Sequence, residues 1–276
     1  ITVNYFLKVK FDILIIKLKD FYKKLTIPQF TIITGVVIIC FGTLILSSPL
    51  CSSNDVGIWE AFFTSASAIT VTGLTVIDIG KDLTVLGQIF LAFMLLSGGL
   101  GLMAITTFLQ GFVVKGAKLR TRLDKGNTLD EFGVGGIGRT FKSIAITAAI
   151  IISSGSLILY SFGFIDIPNR WERLWASIFH SISAYNNAGF SIWSSSVYSY
   201  RTNFLVNFVF IALIILGGLG WRVIDDMWNN RKNLSYKKLS LHSKLVLRTT
   251  FNLIIFGSLG FLITESLLNG QFFADL

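Results

Sequence analysis

Two stretches of this sequence carry residues arranged for chemistry, and the chemistry belongs to the backbone. They are Trp59 to Leu74, WEAFFTSASAITVTGL, and Trp175 to Phe190, WASIFHSISAYNNAGF. At a constant spacing of 116 residues Trp59 pairs with Trp175, Phe63 with Phe179, Ser65 with Ser181, Ser67 with Ser183, Ala68 with Ala184 and Gly73 with Gly189. Each stretch closes on a glycine-bearing segment, Thr70-Val71-Thr72-Gly73 and Asn186-Asn187-Ala188-Gly189. These segments hold no acid, base or cysteine. They hold main-chain carbonyl oxygens and a glycine, which permits backbone conformations and close approach that other residues do not. Rings of carbonyl oxygens replace the water of an alkali cation in selective pores. Intramembrane carboxylates are the other common device, and the apolar runs here have none in their middle thirds. The carbonyl device is the one these residues can supply.

The surrounding elements are apolar. Of 276 residues 53% are hydrophobic and only 14% charged, with mean hydropathy +0.69. A soluble domain carries about a quarter charged residues, so the composition points to a membrane protein. Five runs approach the roughly 20 apolar residues a spanning helix needs: Phe30 to Leu50, Leu83 to Val114, Ile144 to Ile167, Phe204 to Trp221 and Leu245 to Leu268. Gly98-Gly99-Leu100-Gly101 matches Gly217-Gly218-Leu219-Gly220 at a spacing of 119. Each repeat therefore reads as span, short helix, glycine-bearing segment, span. The short helices, Ile58 to Ile69 and Arg173 to Tyr185, are too short to cross and read as re-entrant loops. Backbone exposed at membrane depth is tolerated only inside protein or along a water-filled cavity. The negative C-terminal ends of the two helices would favour a cation there.

Basic residues set the orientation. Lys8, Lys10, Lys17, Lys19, Lys23 and Lys24 precede the first run. Seven more lie between Lys115 and Lys142, and another seven between Arg222 and Arg248. Only Lys81, Arg170, Arg173 and Arg201 fall elsewhere. The N-terminus, 115–142 and 222–244 are thus expected in the cytoplasm. The net charge of +9 needs no nucleic acid, because attraction to anionic membrane lipid accounts for it. The first twenty-odd residues read as an amphipathic surface helix or a basic arm. The chain opens at Ile1 with no apolar signal region, which reads as a trimmed or incomplete N-terminus.

Other chemistry is weaker. Cys40 and Cys51 are too few for a disulfide framework and read as unpaired thiols. His180 stands opposite Thr64 in the repeat and is expected to pack and hydrogen-bond. His242 is assigned no role. Gly133 to Gly138 has GxGxxG-like spacing without a preceding strand, so it reads as a flexible linker and not a nucleotide site. Asp225 and Asp226 are expected in solvent, and Trp193 and Tyr198 in an interfacial belt. With no nucleophile–base pair or metal cluster in view, an enzyme is not expected.

Five motifs in order resemble the Trk/Ktr/HKT potassium transporter superfamily, above all its bacterial KtrB type. They are SAITVTGLTVID at Ser67 to Asp78, GGLGLM at Gly98 to Met103, FHSISAYNNAGFSIW at Phe179 to Trp193, GGLG at Gly217 to Gly220 and KLSLHSKLVL at Lys238 to Leu247. The resemblance implies an all-α polytopic membrane protein of helix–pore-loop–helix units, four to a pore. This chain would supply two complete units and the first helix of a third. The expected divisions are a basic segment 1–27, repeat one 28–114, a cytoplasmic linker 115–142, repeat two 143–228, and a linker with the next helix 229–276. Gly73 and Gly189 would each mark one quarter of the selectivity filter, with carbonyls of Val71, Thr72, Asn187 and Ala188 on the ion. The resemblance implies potassium uptake at the cell membrane, sodium as a possible coupling ion and no covalent cofactor. It also implies a homodimer on a cytosolic ring of nucleotide-binding regulatory subunits, docked on 115–142 and 222–244. Arg222, where the family has an apolar residue or proline, either snorkels to the inner interface or nears the pore. A sodium-selective or non-selective conductor and a non-conducting scaffold or sensor stay open as alternatives.

Overall fold

A computed structural model describes residues 27–101, 134–230 and 239–269. Two compact units emerge, Ile1–Ile214 and Ile215–Leu276. The first holds helices α1 (Ile27–Leu46), α2 (Ile58–Ile69), the single turn α3 (Ile79–Asp82), α4 (Val85–Gly99), α5 (Val134–Ile158), α6 (Arg170–Tyr185) and most of α7 (Phe204–Leu219). The second holds the end of α7, then α8 (Trp221–Asn229) and α9 (Leu241–Asn269). Among the described residues the one β-type pairing is an isolated bridge between Ser52 and Leu83.

Length and apolarity explain the long helices. Lys142–Gly163 and Leu241–Glu265 are long and apolar enough to cross a membrane, and Ile32–Leu46, Val85–Gly99 and Phe204–Leu219 are apolar but shorter. Phe41, Phe93, Ile150, Phe162 and Phe208 all face outward. A helix apolar on its outer surface is built for lipid or for further protein. The second run, read from sequence as Leu83 to Val114, is described only as far as Gly101. The amphipathic reading of the N-terminal segment lies outside the described residues.

Helix starts follow cap chemistry. Asn169 accepts from the Trp171 N–H at 3.0 Å and starts α6 at Arg170, three residues before the expected Arg173. Thr84 accepts from the Gly87 N–H at 3.2 Å at the head of α4. Asn203 does the same for the Val206 N–H at 3.2 Å at the head of α7. Thr84 and Asn203 stand 119 apart, the spacing of the two GGLG motifs. The stretch Gly133 to Gly138, expected as a flexible linker, is different: α5 begins at Val134 and takes five of its six residues as helix.

The two halves of the first unit share part of their packing. α1 packs on α2 and α2 on α4, and α5 packs on α6. A Cβ at Gly42 of α1 would overlap the Met94 side chain of α4, and one at Gly155 of α5 would lie 2.8 Å from Leu213 of α7. Met94 and Leu213 are again 119 apart. Between the halves, the Trp175 indole of α6 donates to the Gln88 amide oxygen of α4 at 2.7 Å. Gln88 donates in turn to the carbonyls of Ile79 and Leu83.

An aromatic cluster packs against α6 at His180. Phe164 is fully buried between Trp193, at 5.0 Å, and Tyr200, at 4.9 Å. Half-buried Trp193 stacks on His180 at 4.1 Å, which ties it to this cluster. Tyr198 remains exposed, with the Arg201 guanidinium 4.3 Å from its ring centre. The Tyr200 hydroxyl donates to Asp166 at 2.7 Å. Burial first, and then the Asp166 carboxylate, push its pKa well above the usual phenol range, so it remains a donor. Arg173 donates to the Ile167 carbonyl at 2.6 Å and to the Ile165 carbonyl at 3.2 Å, pinning the connection into α6.

In the second unit α8 packs on α9 and buries Val223. Asp226, expected in solvent, accepts from the Ser240 N–H at 2.9 Å and the Asn230 amide at 3.0 Å. The Ser243 hydroxyl, then Ser240, holds its pKa below the usual carboxylate value.

The cluster generates a stability test on the purified full-length protein. Phe164→Ala leaves a large cavity and is expected to cost about 3–5 kcal/mol. Tyr200→Phe removes one charge-assisted hydrogen bond and is expected to cost about 1 kcal/mol. Equal, small losses in unfolding midpoint would show that Phe164 is not the centre of this cluster.

Candidate functional site

α2 and α6 have 12 and 16 residues, about 18 and 24 Å at 1.5 Å per residue. Both fall short of the ~30 Å hydrocarbon core. Both bury a run of small residues, Thr64, Ser65, Ser67 and Ala68 on α2 and Ser177, Ser181, Ser183 and Ala184 on α6. Small side chains let neighbouring backbone approach, as membrane helix contacts favour.

Both helices end in one closure. The Thr72 N–H donates to the Ser67 carbonyl at 2.9 Å and the Val71 N–H to the Ala68 carbonyl at 3.3 Å. At the matching positions Ala188 donates to Ser183 at 2.9 Å and Asn187 to Ala184 at 3.0 Å. This double bond pattern requires the residue after the cap to be left-handed, and Val71 has φ 55° and Asn187 φ 56°. Asparagine tolerates that region, whereas a β-branched valine is strained there. Two residues on, Gly73 has φ 82° and Gly189 φ 76°.

A second tether follows. The Ser67 hydroxyl accepts from the Leu74 N–H at 2.9 Å, and the Ser183 hydroxyl donates to the Phe190 carbonyl at 2.7 Å. Each segment is thus tied at both ends to one serine of its own helix. The amides of Val71, Thr72, Asn187 and Ala188 are used on the helices. Among the described residues, no hydrogen bond ends on the carbonyl oxygens of Thr70 to Gly73 or Asn186 to Gly189. What remains is a set of free acceptors at the negative end of two helices.

The two segments meet at their glycines. A Cβ at Gly73 would overlap the Ala188 carbonyl oxygen and lie 3.5 Å from the Gly189 Cα; one at Gly189 would lie 4.0 Å from the Gly73 Cα. The Thr70 and Thr72 hydroxyls are 2.6 Å apart. Asn187 is exposed and Ala188 buried. The Asn186 amide donates to the Ile182 carbonyl at 2.8 Å.

Sequence reasoning missed three supports. It paired Ser67 with Ser183 but not with the residues seven further on, a separation that could have revealed the tether. It matched Gly98-Gly99 without a role: a Cβ at Gly98 would lie 2.9 Å from the Ala68 carbonyl oxygen, and one at Gly99 would overlap the Asn186 side chain. The GGLG of α4 therefore seats both helix ends. It also passed over Gln88, whose contact with Trp175 joins residues 87 apart and leaves no local signal. His180 is buried with Nδ1 2.8 Å from the Ala176 carbonyl and Nε2 2.9 Å from the Ser191 hydroxyl, the packing and hydrogen-bonding role expected. Cys40 and Cys51 are free thiols. The Arg222 side chain and most of 115–142 lie outside the described residues.

Comparison with known proteins places the chain in a family. Residues 19–270 match the TrkH family, described as cation transport proteins. The chain is 35% identical to Ktr system potassium uptake protein B of Bacillus subtilis over 237 residues, 83% of this chain and 51% of that protein. It is 31% identical to the protein of that name in Vibrio alginolyticus over 239 residues, 86% of this chain and 52% of that one. It is 34% identical to the potassium/sodium uptake protein NtpJ of Enterococcus hirae over 234 residues, 83% of this chain and 50% of that one. The chain spans about half the length of these curated relatives. With a family match running almost end to end, the chain belongs to the TrkH family of membrane cation transport proteins.

Proposed function

We propose that this chain belongs to a potassium uptake protein of the cell membrane, and that Thr70–Gly73 and Asn186–Gly189 form two quarters of its selectivity filter. The observation that carries the reading is the pair of matched segments, left-handed at the same positions, with free carbonyls and touching glycines. An unpaired cation in hydrocarbon is penalised by tens of kcal/mol. Carbonyls of Val71, Thr72, Asn187 and Ala188 would replace its water, helped by the C-terminal ends of α2 and α6. The role is transport, not catalysis.

In this reading α1, α2 and α4 form one helix–pore-loop–helix unit and α5, α6 and α7 the next. α9 opens a third. The N-terminus, 115–142 and 222–244 face the cytoplasm. The relatives named as parts of a Ktr system support a multi-component assembly. Here that means a homodimer on a ring of nucleotide-binding regulatory subunits. The relative named for potassium and sodium makes sodium the ion to test beside potassium, as competitor or coupling ion.

Flux measurements on the full-length protein test the filter. Gly73→Ser adds a side chain that meets the Ala188 oxygen in a left-handed residue, and is expected to cut the potassium-over-sodium preference about tenfold, roughly 1.4 kcal/mol of relative barrier. Gly189→Ser meets left-handed strain but more space, so its effect is expected to be smaller. Unchanged preference in Gly73→Ser, with normal expression, would remove the filter assignment.

Ser183→Ala cuts the tether to Phe190 without touching an ion. Expected are a loss of about 1 kcal/mol in stability and a modest fall in selectivity, with uptake retained. Abolished uptake at normal stability would mean that the hydroxyl itself faces the ion path.

A further inference from the structure

The two glycine segments differ in how the chain leaves them. In the second copy Ser183 holds the Phe190 carbonyl. Three residues earlier, on the same face of α6, His180 holds the next residue, Ser191. The proton positions follow from the partners. The Ala176 carbonyl can only accept, so Nδ1, 2.8 Å away, carries the ring proton. In the neutral ring Nε2 is then the acceptor, and the Ser191 hydroxyl donates to it at 2.9 Å. That hydroxyl accepts in turn from the Trp193 N–H at 3.1 Å. Trp193 stacks on the imidazole, and Phe164 and Phe179 stand edge-on to it. Rings and hydrogen bonds together fix the orientation of His180.

The first copy has the same turn without this strap. Thr75 and Ile77 stand 116 residues before Ser191 and Trp193. The Thr75 hydroxyl accepts from the Ile77 N–H at 3.1 Å, as Ser191 does from Trp193. Its own proton stays local, on the Ile77 carbonyl at 2.8 Å. Thr64, at the His180 position, is fully buried. Among the described residues its hydroxyl has no hydrogen-bond partner. A threonine side chain ends at Cγ and Oγ and does not span the distance that an imidazole does. The exit from Gly73 is tied to α2 through Ser67, whereas the exit from Gly189 is tied to α6 twice.

We propose that His180 is a positioning residue for ion selection: through Ser191 it stiffens the exit from Asn186–Gly189, which makes this the rigid segment and Thr70–Gly73 the compliant one. His180 touches no ion. It acts through Ser191 and Phe190 on the carbonyls of Asn187 and Ala188. Carbonyls that yield toward a smaller cation discriminate less against it, so holding the exit in place favours the larger one. The inference rests on the filter reading of these segments, but adds a residue outside them.

The test compares two matched serine/threonine truncations by potassium and sodium flux in the full-length protein. Ser191→Ala and Thr75→Ala each remove a hydroxyl that accepts from the N–H two residues on, but only Ser191→Ala cuts a strap to the helix. Ser191→Ala is expected to lower the potassium-over-sodium preference about threefold, the size of one modest hydrogen bond. Ser191→Thr, which installs the residue of the first copy and keeps the hydroxyl, is expected to restore the parent preference. Thr75→Ala is expected to leave the preference unchanged. His180→Phe keeps an aromatic ring against Trp193 and loses both hydrogen bonds. Its loss of preference is expected to match that of Ser191→Ala, with nothing added in the double variant. Parent preference in Ser191→Ala, or an equal fall in Thr75→Ala, overturns the proposal, whether or not His180→Phe folds. Gly73→Ser measured alongside separates the two readings: its loss of preference beside an unaffected Ser191→Ala overturns the role of His180 and leaves the filter standing.

Discussion

The structure of the first unit depends on how two short helices dispose of their last amides. A helix ends with unsatisfied carbonyls, and at membrane depth water is scarce. α2 and α6 meet this by folding the next two N–H groups back onto the carbonyls of Ser67, Ala68, Ser183 and Ala184. The closure settles the helix and creates a new imbalance one step on. In each copy three residues then have donors engaged, and all four have acceptors free. Free acceptors in a low-dielectric setting are expensive to leave unmatched, and a dehydrated cation is costly for the opposite reason. In the proposed reading each removes the other's penalty.

This disposition must be held against strain. Val71 sits at φ 55°, a region a β-branched residue avoids at a cost of roughly 1–3 kcal/mol. Nothing local to Val71 favours it. The surroundings impose it: the closure behind, the Ser67 tether ahead, and the GGLG of α4 beneath the helix end. Asn187 adopts the same angle at little cost, so chemically unlike residues share one geometry. Conformation, not side-chain type, is the common property of the two copies, which fits a site whose working atoms are backbone.

Much of this was legible because membrane constraints are coarse. Apolar runs located α1, α7 and α9 to within four residues, whereas α5 begins ten residues before its run, and α2 has the bounds that its sequence suggests. The two glycine-bearing segments stood out through internal repetition. What stayed hidden has physical reasons. Asn169 moved the start of α6 through a cap bond, a boundary effect to which periodicity is blind. Trp193 looked like a membrane-interface residue because its amphipathic ring suits that place, yet the same ring stacks on the buried His180. The Gln88–Trp175 bond joins elements far apart in sequence and matches no motif.

The repeat spacing shows which contacts the chain could not change. From Gly42 to Gly155 the interval is 113, from Gly73 to Gly189 it is 116, and from Met94 to Leu213 it is 119. Relative to the first copy, three residues entered before the short helix of the second copy and three more after its glycine segment. Both insertions lie in connections, where added length is cheap and surface loops absorb it. Inside the elements nothing could shift: a slip of one residue on a helix turns its contacts by about 100°, which would lift Met94 off Gly42 and Gly98 off the end of α2. The register is therefore kept by close packing, while most side-chain identities have drifted. That explains why the two copies share few residues and yet bring Gly73 and Gly189 to the same point.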